Sequence, residues 1–300
     1  MDRRQFLKLS ALTGAGLSLP NGFTSLAEAV ESETRPDLVV AHGASPANIV
    51  TAAIDALGGM KQFISRGDIV VIKPNIGWDR TPEQAANTNP EVVATVVRLC
   101  FEAGAKKVKV FDRPVNDARR CYVQSGIAAA AGALGAETDY MDERKFRDMA
   151  LGGQALKSWP LYTDIFEADK VINIPIAKHH GLAKLTLSMK NWMGVMGGSR
   201  RQIHQKLYES LVDLAMKIKP TLTILDAVRI LTANGPQGGS LADVKKLDTV
   251  IVGVDPVAID SYGATLFGMK GSDLGYVTLG HKLGLGQMDL NKLHIKKLQV

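Results

Sequence analysis

The feature that most constrains this chain is a rhythm. Short β-branched runs recur along it, and most are followed by a stretch with helical spacing: Leu38–Ala41, Ile69–Ile72, Val108–Phe111, Val171–Ile176, Thr221–Leu225 and Asp248–Val254. Strands covered on both faces read as nearly continuous apolar runs, and a helix between two of them carries the chain back to start a parallel neighbour. The order predicts an α/β fold with a mostly parallel sheet and helices on both faces, layered in the Rossmann manner. Local signals agree. Ser45-Pro46 and Asn89-Pro90-Glu91 are helix starts, and Gly58-Gly59 and Gly104 are stops. A helix is expected from about Gln202 to Lys217, then one from Val257 to Phe267 and one from Leu274 to Leu283, with a returning edge strand over Leu293–Val300. Residues 136–160 lack the rhythm and are expected to form a small excursion from the main sheet.

The first residues stand outside that fold. Asp2-Arg3-Arg4-Gln5-Phe6-Leu7-Lys8, a glycine-containing apolar run from Leu9 to Leu19, and Ala27-Glu28-Ala29 follow the order of a twin-arginine leader and its cleavage site. The expectation is a leader over residues 1–29, recognised by the twin-arginine export machinery, and one α/β domain over 30–300 in the periplasm. The apolar run is too short to span a bilayer, so no stable membrane anchor is expected. Net charge is +6, of which the leader contributes one (Arg3, Arg4 and Lys8 against Asp2 and Glu28). That mild excess suits an anionic small molecule. With aromatics at 6% and no basic stripe between them, no nucleic-acid partner is expected. The two cysteines exclude a four-thiolate iron–sulfur cluster within this chain. Cys100 falls on the apolar face of a helix, and a Cys100–Cys121 disulfide is left open.

Ligands of parallel α/β sheets bind beyond the carboxyl ends of the strands. Here those ends carry Lys73 and Asn75, Asp112 and Arg113, Lys178 to His180, Asp226, and Asp255. The densest stretch is 171–201, where an apolar strand runs into Lys178-His179-His180 and on to Lys190, Asn191 and a glycine-rich turn. Two readings of it stay open. Lys178 and His180 form an acid/base pair, with Lys190 beside them and Lys73, Asn75 and Asn191 holding the ligand. Alternatively His180, His204 and Asp226 hold a divalent metal. Because His179 and His180 are adjacent, extended backbone turns only one of them inward. Gly197, Gly198 and Ser199 before a helix suggest an anion nest. Asn234-Gly235-Pro236-Gln237-Gly238-Gly239 reads as a loop over the same edge, and Asn234 and Asp255 complete the candidate ligand contacts. Neither a GxGxxG fingerprint nor a P-loop is present.

Lys73-Pro74-Asn75, Asn87-Thr88-Asn89-Pro90, the strand Pro175 to His180, and Ser188-Met189-Lys190-Asn191-Trp192-Met193-Gly194 stand in an order that resembles the family called domain of unknown function 362. His204, Asp226, Asn234-Gly235-Pro236 and Asp255-Pro256-Val257-Ala258-Ile259-Asp260 extend the resemblance over most of the chain. The family's lysine-x-histidine, matched by Lys178 and His180, favours His180 as the inward residue. Relatives sometimes carry a ferredoxin-like module, which this sequence lacks. The expected protein binds an anionic small molecule or a metallocofactor and transfers protons on it. The alternative is a carrier that delivers a divalent metal or cofactor to a periplasmic redox partner.

Overall fold

The computed structural model describes residues 35–300, and the leader read over residues 1–29 lies outside the described residues. The strands are β1 (Leu38–His42), β2 (Ile69–Pro74), β3 (Lys107–Val110), β4 (Phe146–Ala150), β5 (Ser158–Tyr162), β6 (Lys170–Ile174), β7 (Ile176–His180), β8 (Lys184–Thr186), β9 (Leu222–Leu231), β10 (Val244–Gly253) and β11 (Ile295–Gln299). The helices are α1 (Pro46–Asp55), α2 (Pro90–Glu102), α3 (Ala118–Gln124), α4 (Ile127–Gly132), α5 (Asp164–Glu167), α6 (Ser188–Asn191), α7 (Leu207–Lys217), α8 (Pro256–Thr265) and α9 (Gly275–Lys282). None is long and apolar enough to cross a membrane.

The main sheet runs β11-β1-β10-β9-β6-β2-β3, with β7 added beside β9 and β8 beside β7. β9, β6, β2 and β3 are parallel, as the rhythm predicts. β10 is the exception: it returns antiparallel between β9 and β1. The sequence between β9 and β10 holds only a turn and a short 3-10 segment, too little to carry the chain back for a parallel pairing. β11 lies at the edge, parallel to β1. Strand alternation sorts the apolar residues onto two faces. Val39, Ala41, Val70, Ile72, Ile172 and Ile174 pack with α1 to α4. Leu38, Val40, Val71, Val171, Leu225 and Ile251 pack on the other side with α6 to α9. Helices therefore cover both faces of a mostly parallel sheet, and residues 35–300 form one compact unit.

Local chemistry sets the helix ends. Ser45 caps α1 through Asn48 N–H, and Asn89 caps α2 through Glu91 N–H, each followed by proline in the first turn. Residues 136–160 yield the antiparallel β4–β5 hairpin, off the main sheet. The expected helix from Gln202 begins later. Arg200–Lys206 is 3-10 and the α-helix starts at Leu207. Cys100 and Cys121 are both free and buried in the core under α2 and α3, and burial pushes the thiols up to about 12 and about 11.

The decisive local event is Pro175. The run expected as one strand from Val171 to Ile176 breaks there: β6 stops at Ile174, and β7 restarts alongside β9 instead. β7 then folds back on β8, so Lys178 to His180 lie within a hairpin rather than at the tip of a sheet strand.

Candidate functional site

Beyond the carboxyl ends of β2 and β3 lies a cavity of about 400 Å³. Its walls come from β2 (Lys73), β3's end (Asp112), the β7–β8 hairpin (Lys178, His180, Thr186), α6 (Lys190, Asn191) and the 3-10 segment (Arg200, His204). Lys73 is wholly buried, and its Nζ reaches Asp112 Oδ1 at 2.8 Å, Asn191 Oδ1 at 2.9 Å and Pro74 O at 2.8 Å. Asp112 Oδ2 accepts from Ile76 N–H (2.6 Å), and Oδ1 accepts from Arg113 N–H (3.0 Å) beside Lys73. Asn191 Oδ1 also accepts from Asn75 Nδ2 (3.0 Å), and Asn75 Oδ1 accepts from Lys178 Nζ (3.0 Å). An unbroken amide bridge thus joins the two lysines. Asn191 Nδ2 in turn donates to Asn173 Oδ1 at 2.8 Å, which fixes the orientation of both groups.

The short helix α6 is held from behind. No side chain of its own caps it, but Ser188 and Met189 N–H donate to the two oxygens of Asp260 on α8, at 2.6 and 3.0 Å. Asp260 therefore sets where Lys190 and Asn191 point. Burial raises its carboxyl to about 8, against the pull of those two N–H groups.

Cations dominate the cavity. Lys73, Lys178 and Lys190 are 0%, 1% and 7% exposed, with Arg113, Arg200 and Arg201 around them, and Asp112 is the single carboxylate in the lining. Burial, reinforced by neighbouring Lys190 and Lys73, lowers Lys178 to about 7. Burial, then Arg200 and Lys73, brings Lys190 to about 7. Lys73 is also lowered by burial, although Asp112 opposes the shift. His180 Nδ1 accepts from Leu182 and Ala183 N–H at 3.1 and 3.2 Å, so the neutral ring carries its proton on Nε2. Burial and the lysines hold it near 3, hence uncharged at neutral pH. The Thr186 hydroxyl, directly across the hairpin from Lys178, is buried with no hydrogen-bond partner among the described residues.

The structure therefore brings together Lys73, Asn75, Lys178, His180, Lys190, Asn191, Ser199 and His204. Of the neighbouring histidines, His180 lines this cavity, while His179 bonds the N–H of Gly235. Five expected contacts fall elsewhere. Asp226 lies in the middle of β9, buried and taken up by Asn89 and Val228 N–H at 2.7 and 2.9 Å. Asp255 caps α8 through Val257 and Ala258 N–H and also holds Gln287 N–H. Gly197 and Gly198 form no anion nest: Gly197 O accepts from the Trp159 indole, its N–H donates to Pro160, and Gly198 O accepts from Arg113. Asn234 turns to Asp243, and it is Pro236 of that loop that reaches the cavity. The set His180, His204 and Asp226 is accordingly not assembled, and among the described residues no three His, Cys, Asp or Glu side chains gather as a metal site.

The Asp260 support was absent from the expected site. A polar Asn173 inside the apolar run 171–176 was the one local sign that a buried polar network lay behind that strand.

The family profile described as Domain of unknown function (DUF362) matches residues 70–265, and the chain belongs to that family. The Synechocystis sp. protein named thylakoid-associated protein sll1697 is 30% identical over 231 residues, covering 70% of this chain and 71% of its own length. Among solved structures, a Thermotoga maritima protein aligns at TM-score 0.42 and 11% identity over 69% of this chain and 56% of its own. The lactate racemase apoprotein from Thermoanaerobacterium thermosaccharolyticum aligns at TM-score 0.39 and 12% identity, over 72% and 54%. The chain spans just over half the length of these two structures, and at such scores they bear on nothing of its chemistry.

Two outcomes follow from the geometry. A methyl at Gly194 would fall on Asp112 Oδ1 and against Lys73 Nζ. Gly194→Ala should therefore split the buried pair and cost about 3 kcal/mol or more in denaturant unfolding. Asp260 keeps its proton in the folded state between its ordinary 3.8 and about 8, where the unfolded chain has lost it. Its contribution to stability is thus complete below that window and falls as pH rises through it, by at most about 1.4 kcal/mol per pH unit. Relative to wild type, Asp260→Asn should gain stability between pH 5 and pH 8. A parallel pH profile for the two proteins would refute the assignment.

Proposed function

We propose that this cavity binds a small anionic molecule and moves a proton on it. The observation that carries the reading is the charge balance: three buried lysine amines share the cavity with one carboxylate, and that carboxylate is already paired with Lys73. Unpaired buried charge costs several kcal/mol. A bound anion would offset this by supplying the missing counter-charge.

In this reading Lys178 and Thr186 face the negative group. Lys73 is locked by Asp112 and acts through its field and through Asn191. Lys190, brought near neutrality, serves as the base, while the uncharged His180 donates a hydrogen bond from Nε2 to oxygen that becomes negative. This replaces an acid/base pair of Lys178 and His180, because an imidazole held near 3 has no proton to give as an acid at neutral pH. The leader pattern Arg3-Arg4 supports export to the periplasm. Arg3→Lys with Arg4→Lys should retain the protein in the cytoplasm on fractionation, and unchanged export would discard that part.

Anion binding is tested by calorimetry with pyruvate and with inorganic phosphate. Both lysines lose their charge near pH 7, so affinity should be greater at pH 6 than at pH 8.5. Lys178→Ala should weaken binding at least tenfold. Equal affinity at both pH values, or an unaffected variant, would refute the reading.

A further inference from the structure

The lysines of the cavity differ in what their nitrogens touch. Lys73 Nζ donates to three oxygens. Lys178 Nζ donates to Asn75 Oδ1 and to the carbonyl of Ala86. Lys190 Nζ has no oxygen partner at all among the described residues, and its one contact is Met193 Sδ at 3.2 Å. An ammonium has three protons to place, and a thioether is a weak acceptor. A buried nitrogen in such surroundings is built to be an amine with its lone pair free. It lines the cavity from α6, on a turn pinned by Asp260, and shares the space with the Lys178–Thr186 pair across the hairpin.

We propose that Lys190 forms a Schiff base with a small oxo acid, whose carboxylate lies against Lys178 and the unpartnered Thr186 hydroxyl. The proposal rests on the anion-binding reading of the same cavity and names the substrate class. The Nζ lone pair attacks the carbonyl carbon, and the carbonyl oxygen leaves as water with the two amine protons. The C=N bond replaces C=O, with no oxidant or reductant involved. His180 Nε2–H donates a hydrogen bond to the departing oxygen. Once protonated, the imine draws electrons from the neighbouring carbon and acidifies its proton, so Lys190 acts here through the imine rather than as a free base. Burial and the nearby Arg200 and Lys73 keep a useful fraction of Lys190 uncharged near neutral pH.

The test is reductive trapping on the full-length protein, with pyruvate as probe and sodium borohydride as reductant, read by peptide mass spectrometry. The expected result is one reduced pyruvate adduct on the peptide containing Lys190, suppressed by excess phosphate and absent at that position in Lys190→Arg and Lys190→Met. Circular dichroism checks the folding of both variants. Should neither fold, the position of the adduct in the wild-type protein decides alone. Calorimetric binding of pyruvate without any adduct, or an adduct on Lys178 instead, overturns the Schiff base and leaves anion binding standing. Absence of both binding and adduct overturns the two together.

Discussion

Everything at the site depends on the buried ion pair between Lys73 and Asp112. A charged lysine at the end of β2 costs several kcal/mol to bury unpaired, and Asp112 at the end of β3 offsets that cost. The parallel pairing of β2 with β3 brings the two ends side by side. The glycine at position 194 lets the backbone that follows α6 close over them. From this pair the hydrogen-bond order is forced: Lys73 takes the oxygen of Asn191, Asn191 takes the amide of Asn75, and Asn75 presents its oxygen to Lys178. With both amides committed, Lys178 is aimed by the same network that holds Lys73.

Much of this was legible in the sequence. Apolar runs with caps between them marked the parallel strands, and the polar residues at the ends of β2, β3 and β7 pointed to the edge of the sheet where the cavity lies. What sequence could not separate was a carboxylate lining the cavity and paired with a lysine from one serving the backbone alone. Asp226 and Asp255 stand in runs much like that of Asp112, yet each meets backbone N–H groups alone, whereas Asp112 also meets Lys73. Asp226 is also held by Asn89 N–H and Asp255 by Gln287 N–H, both from distant parts of the chain. The same holds for Gly197 and Gly198, whose carbonyls are claimed by Trp159 and Arg113 from other segments. The antiparallel return of β10 was missed because a strand's apolar pattern does not record its direction.

Asp260 shows how far from the cavity its geometry is decided. It sits on α8, packed in the opposite layer from α1 and α2, and it acts only on backbone. A short helix with no cap of its own would fray, and Lys190 with it. Supplying the carboxyl group from a neighbouring helix keeps the amine in place without adding a negative charge to the lining.

The restart of the chain at Pro175 has a further consequence. Lys73 and Asp112 stand on the continuous parallel sheet, whereas Lys178, His180 and Thr186 ride on a hairpin attached along β9 through an irregular register. The two walls can therefore loosen at different free energies, the hairpin first. A molecule touching both would act as a rivet between them. Its occupancy would be recorded as slower amide exchange in β7 and β8, with β2 and β3 scarcely altered.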